Sequence, residues 1–100
     1  MNKELTVVEA YEAIQSNQSL QLIDVRSAVE FEKDALQGFT NIPLSEISQA
    51  MPKLDGKKKT ILICSDGTQS HQAQTLLEAC GYEPLTVRGG IRDWKLVIEA

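Results

Sequence analysis

One hundred residues at 11.1 kDa supply one hydrophobic core and not two, so a single domain over residues 1–100 without a linker is expected. Hydrophobic residues at 42% and charged residues at 24% exclude a disordered chain, and a net charge of -4 argues against a nucleic-acid partner, whose phosphates demand the opposite sign. The longest apolar run, Ile61-Leu62-Ile63-Cys64, falls far short of the ~20 residues that span a bilayer, and Met1 to Thr6 holds no signal-peptide stretch, so a cytoplasmic chain away from membranes is expected.

The first periodic unit is a helix. Thr6 and Glu9 have capping-box spacing, and Val7, Ala10, Tyr11 and Ile14 recur on one face until the polar stretch Ser16-Asn17-Gln18-Ser19. Leu20 to Val25 reads as a buried strand with Asp24 and Arg26 at its carboxyl end, and Ser27 and Glu30 repeat the capping box before a short helix through Lys33. Phe39 to Pro43 predicts a short strand closed by proline, followed by a helix from about Ser45 to Met51. Asp55-Gly56 marks a turn, and Lys57-Lys58-Lys59 leads as a solvated stretch into the strand Thr60 to Cys64, β-branched and apolar on both faces. Past the loop Ser65-Asp66-Gly67, a helix carries Ala73, Leu76, Leu77 and Cys80 on one face and ends at Gly81. Leu85 to Val87 is the last strand, Gly89-Gly90 a turn, and Ile91 to Ile98 a closing helix that Trp94 packs.

Strands alternating with helices predict a three-layer α/β/α domain around a mainly parallel sheet. Ligands in such sheets bind beyond the carboxyl ends of the strands, a rule that gathers Asp24, Cys64 and Arg88 at one rim.

The segment Cys64-Ser65-Asp66-Gly67-Thr68-Gln69-Ser70 joins a buried strand to a helix. A cysteine there faces loop amides and the positive end of the helix dipole, both of which favour thiolate. Gly67 gives the loop backbone freedom, and the hydroxyls of Ser65, Thr68 and Ser70 can donate to an anionic sulfur. Neither a metal nor a cofactor is expected, because Cys64, Cys80 and the single His71 do not make up a four-ligand zinc site. A phosphate-binding cysteine loop would need arginine six residues after the cysteine, where Ser70 stands.

Four motifs together resemble the single-domain rhodaneses, a sulfurtransferase family. They are Leu22-Ile23-Asp24-Val25-Arg26 with the pair Glu30-Phe31, Gly38 followed by Asn41-Ile42-Pro43-Leu44, Cys64-x-x-Gly67-x-x-Ser70, and Val87-x-Gly89-Gly90-Ile91-x-x-Trp94. The resemblance covers nearly the whole chain. It implies a rhodanese-like domain with a sheet of five parallel strands, in which Cys64 alternates between thiolate and persulfide and residues Ser65 to Ser70 form the substrate-binding loop. It implies a small donor such as thiosulfate or a persulfide, a thiol or cyanide as acceptor, a partner protein as a further candidate, and ping-pong kinetics. The other reading is a non-catalytic rhodanese-like module that binds or senses sulfur compounds.

The sequence departs from the family in having no cation in the loop, where Ser65 and Gln69 stand at positions many members fill with arginine. Asp66 adds a negative charge that opposes a dianionic donor, so modest thiosulfate activity is expected. Arg88, at the end of the last strand, is the candidate to supply part of the missing cation, with a surface salt bridge as the equal alternative. Asp24 and Arg26 are expected to hold the rim, and His71 to be solvated. Cys80 lies ~18 Å along the helix from Thr68, too far for a disulfide with Cys64, and is expected to fill the core.

Overall fold

The computed structural model describes residues 3–16 and 19–99, so Asn17 and Gln18 of the expected polar stretch lie outside the described residues. Both capping boxes form. The Thr6 amide donates to Glu9 Oε1 at 2.8 Å while the Glu9 amide donates to Thr6 Oγ1 at 3.1 Å, opening α1 (Val7–Ser16). Ser27 Oγ accepts from the Glu30 amide and opens α2 (Ala28–Asp34).

Five strands pair, all parallel, in the order β1-β5-β4-β2-β3: β1 is Glu4–Leu5, β2 Gln21–Asp24, β3 Thr40–Asn41, β4 Thr60–Ile63 and β5 Leu85–Val87. Leu85–Val87 is as expected, whereas the other three expected strands are trimmed at their ends. β1 escapes sequence reading because two residues show no period; they are fixed by pairing Glu4 with Thr86 and Leu5 with Val87. The helix expected over Ser45 to Met51 is instead a 3-10 turn (Leu44–Glu46), the one-turn α3 (Ile47–Ala50) and a second 3-10 turn (Met51–Lys53), a path that starts after Pro43 and carries Pro52 inside its last turn.

Alternation along β4 builds both cores. Ile61 and Ile63 face one layer with Val7, Ala10, Phe39 and Trp94, whereas Leu62 and Cys64 face the other with Ile47, Ala73 and Leu77. Trp94 of α5 (Gly90–Val97) meets Tyr11 edge to face at 6.0 Å between ring centres. No helix among the described residues is long and apolar enough to cross a membrane.

The buried face of α4 (Thr68–Ala79) differs from the expected one. Ser70, Ala73, Gln74 and Leu77 are buried, while Leu76 and Cys80 are exposed. Polar anchors turn the helix: Gln74 Nε2 donates to the Lys3 and Pro84 carbonyls at 3.0 and 2.9 Å, and Ser70 Oγ to the Gly67 carbonyl at 3.1 Å. Cys80 is thus a surface residue at the helix end and not part of the core, next to Gly81, whose φ of +91° closes the helix as its sequence position predicts.

Candidate active site

Parallel pairing of β2, β4 and β5 brings the ends carrying Asp24, Cys64 and Arg88 to one rim, but their side chains take different partners. Asp24 is wholly buried beneath Arg26, which donates to its carboxylate from Nε and Nη2 and reaches Asp34 Oδ1 through Nη1 at 2.6 Å. Asn41 Nδ2 bonds the carbonyls of Asp24 and Arg26. This network fixes the β2–α2 corner, as expected of Asp24 and Arg26, and leaves no Asp24 oxygen directed to the sulfur. Arg88 also turns away, donating from Nε to Glu4 Oε1 at 3.0 Å. Arg88 and, less strongly, His71 hold the Glu4 carboxyl below the usual carboxylate range.

Cys64 follows β4, and the chain curls back at once into α4. Gly67 makes that reversal at φ +96°, a left-handed conformation costly for any side chain, and caps the helix. The curl points the first amides of α4 at the sulfur: Gly67 N lies 3.1 Å and Ser70 N 3.3 Å from Cys64 Sγ, with Ser70 Oγ at 3.5 Å. Two N–H donors and a helix N-terminus converge on one sulfur, the arrangement that favours negative charge there.

The remaining loop residues hold the curl. Asp66 Oδ1 accepts from the Thr68 amide at 3.0 Å, and the hydrogen bonds from Thr68, with the nearby charge of Arg92, keep the Asp66 carboxyl below its ordinary range. Ser65 Oγ donates to Glu30 Oε2 at 3.3 Å, so of the three hydroxyls expected to serve the sulfur only that of Ser70 is beside it. Thr68 contributes its amide to Asp66 instead, and Gln69 is exposed.

A second helix braces the loop from behind. At the start of α5 the Ile91 amide donates to the Cys64 carbonyl at 2.8 Å and the Arg92 amide to the Ser65 carbonyl at 2.9 Å. Cys64 itself is fully buried. Concavities of about 440 and 340 Å³ flank the loop: one holds Glu4, Asp66, His71 and Arg88, the other Glu30, Lys33, Ser65 and Lys95. Arg92 lines both, and sequence reading missed it because it falls at an unassigned position within the Gly89-Gly90-Ile91-x-x-Trp94 motif. Among the described residues no three His, Cys, Asp or Glu side chains cluster as a metal site requires.

Comparison with known proteins places this geometry. The chain is 34% identical over 73 residues to the thiosulfate sulfurtransferase PspE of Escherichia coli K12, covering 71% of this chain and 70% of that protein. It is 32% identical to YrkF of Bacillus subtilis over 87% of this chain, but spans only 48% of that longer protein. A rhodanese-related protein from Thermoplasma volcanium superimposes with a TM-score of 0.84 at 29% identity, covering 92% of this chain and 89% of that one. The human single-domain sulfurtransferase has the same fold, with a TM-score of 0.88 at 23% identity over 97% of this chain and 98% of the other. The sequence model of the Rhodanese-like domain matches residues 6–96, from the capping box of α1 to the last turn of α5, and the chain belongs to that family.

Proposed function

We propose that the chain is a sulfurtransferase that carries a sulfane sulfur on Cys64. The observation that carries this reading is the convergence of the Gly67 and Ser70 amides on Cys64 Sγ at 3.1 and 3.3 Å, within a Rhodanese-like domain whose relatives include named sulfurtransferases.

In the first half-reaction the Cys64 thiolate attacks the outer sulfur of thiosulfate. A sulfur–sulfur bond forms to Sγ, the bond between the two thiosulfate sulfurs breaks, and its electron pair leaves with sulfite. The cysteine becomes a persulfide anion, so charge is conserved and no proton is consumed. In the second, a thiolate or cyanide takes the outer sulfur and the electron pair returns to Sγ. Splitting the transfer into two displacements lets one site serve donor and acceptor in turn. The Gly67 and Ser70 amides stabilise the anionic sulfur, and preorganised donors of this kind cost no reorganisation during reaction. Asp66 and the cation-free loop keep the rate with a dianion modest.

Intact mass after incubation with thiosulfate tests the reading. The wild type and Cys80→Ser gain one sulfur that cyanide removes, whereas Cys64→Ser gains none. A wild type without the adduct, or an adduct that persists in Cys64→Ser, overturns it.

A further inference from the structure

We propose that Arg92, on the first turn of α5, is the anion-binding residue of this site and grips the sulfonate end of the donor, which departs as sulfite. The inference rests on the sulfurtransferase reading for its substrate and on geometry for the residue.

The loop itself has no cation, yet a dianion must approach a sulfur that becomes anionic. Four other cations stand near the rim: Arg26 is enclosed by Asp24 and Asp34, Lys95 is paired with Asp34, and Arg88 meets Glu4 through Nε and borders only the concavity on the Asp66 side. Lys33 is exposed but borders only the concavity on the Ser65 side. Arg92 is different. Its amide is tied to the Ser65 carbonyl at 2.9 Å, which anchors its Cα to the loop, and it borders the concavities on both sides of that loop. The side chain is 64% exposed, and its contact is through Nε alone, to the carboxylate of neighbouring Asp93 at 3.2 Å. No Nη of Arg92 is hydrogen-bonded among the described residues, so the two-pronged edge of the guanidinium stays available for paired oxygens. The Asp66 carboxyl, lowered chiefly by its hydrogen bonds from Thr68, also feels the Arg92 charge.

The step is the first displacement already written. Arg92 exchanges no proton; it neutralises oxygens that carry negative charge in thiosulfate and in sulfite alike, so its loss acts chiefly on donor binding.

Steady-state kinetics with thiosulfate and cyanide give the first test. Arg92→Ala should raise KM for thiosulfate about tenfold with a much smaller change in kcat, and Arg92→Lys should recover part of the loss, because a charged hydrogen bond is worth at least that factor. The second test needs no sulfur transfer. In a Cys80→Ser background, the rate of Cys64 alkylation by anionic iodoacetate relative to neutral iodoacetamide should fall several-fold in Arg92→Ala and converge with wild type at high salt. Unchanged KM together with an unchanged alkylation ratio overturns the assignment, as does a larger effect from Arg88→Ala. A wild type that takes up no sulfur while the ratio still falls would sink the sulfurtransferase reading and leave Arg92 as the anion-binding residue.

Discussion

Gly90 stands directly behind Cys64. A Cβ built on Gly90 would lie 2.2 Å from the Cys64 carbonyl oxygen and 2.9 Å from the Ser65 carbonyl carbon, and the Gly90 backbone sits at φ +57°. The close approach lets the α5 amides of Ile91 and Arg92 reach the carbonyls of Cys64 and Ser65. The sulfur-bearing loop is thus held between two helix N-termini, α4 pointing amides at Sγ and α5 pointing amides at the backbone behind it.

Gly90→Ala is therefore expected to be severe. The left-handed backbone costs an ordinary residue ~1–2 kcal/mol, and the clash with a backbone carbonyl adds to it, so a total loss above ~2 kcal/mol is expected. Urea denaturation measures the loss, and the thiosulfate mass assay should show sulfur uptake falling with it. A variant as stable as wild type and fully active would mean that the α5 brace does not constrain the loop.

Cys80→Ser, by contrast, should be nearly silent. The residue is the exposed C-cap of α4 and caps through its backbone N–H to the Leu77 carbonyl, so a side-chain exchange there should change stability by less than ~0.5 kcal/mol. Denaturation midpoints and transfer rates of wild type and variant should coincide. A loss of turnover at unchanged stability would give Cys80 a part in the reaction that its position does not explain.

Cys80 also marks where sequence reading stops. The apolar period of α4 nominated Leu76 and Cys80 for the core because it scored hydrophobicity alone; the helix is turned by Ser70 and Gln74, polar side chains buried because each finds a backbone carbonyl. Such partners lie up to 71 positions away, as for Gln74 and Lys3, and no local window contains them. The capping boxes at Thr6 and Ser27, the glycine stop at Gly81 and the Cys64 loop were legible because their physics is local. The partner of Arg88 is hidden from the sequence for the same reason that β1 is. That partner, Glu4, is brought beside Arg88 only by the pairing of β1 with β5.

Acid stability should report the Asp34 cluster. Hydrogen bonds from Lys95 and Arg26 hold the Asp34 carboxyl below the ordinary 3.8. A carboxyl lowered in the folded state contributes stability that is complete above the unfolded value and lost as pH falls through the folded one. Between pH 5 and pH 2.5, wild type should therefore lose stability more steeply than Asp34→Asn, whose side chain does not titrate; at pH 7 the wild type should be the more stable of the two. Parallel urea titrations across that range decide it, and superimposable slopes would remove Asp34 from the account of acid unfolding.

Asp66 offers the sharpest separation of charge from geometry. Its Oδ1 accepts from the Thr68 amide, a bond the asparagine carbonyl can reproduce, so Asp66→Asn removes the charge and keeps the turn. In wild type that carboxylate lies in the loop a dianionic donor must approach, and it competes for the positive field of Arg92. Asp66→Asn should raise the second-order rate with thiosulfate a few-fold at low ionic strength, with the gain fading as salt screens the exposed charge. Asp66→Ala loses both the charge and the bond to the Thr68 amide, and should gain less than asparagine or fall below wild type. Stopped-flow rates of sulfite release at low and high salt measure all three proteins. If Asp66→Asn is slower than wild type at every ionic strength, the carboxylate serves the reaction by holding the loop or orienting the acceptor, and its charge is not the penalty on anion binding that its place beside the sulfur loop implies.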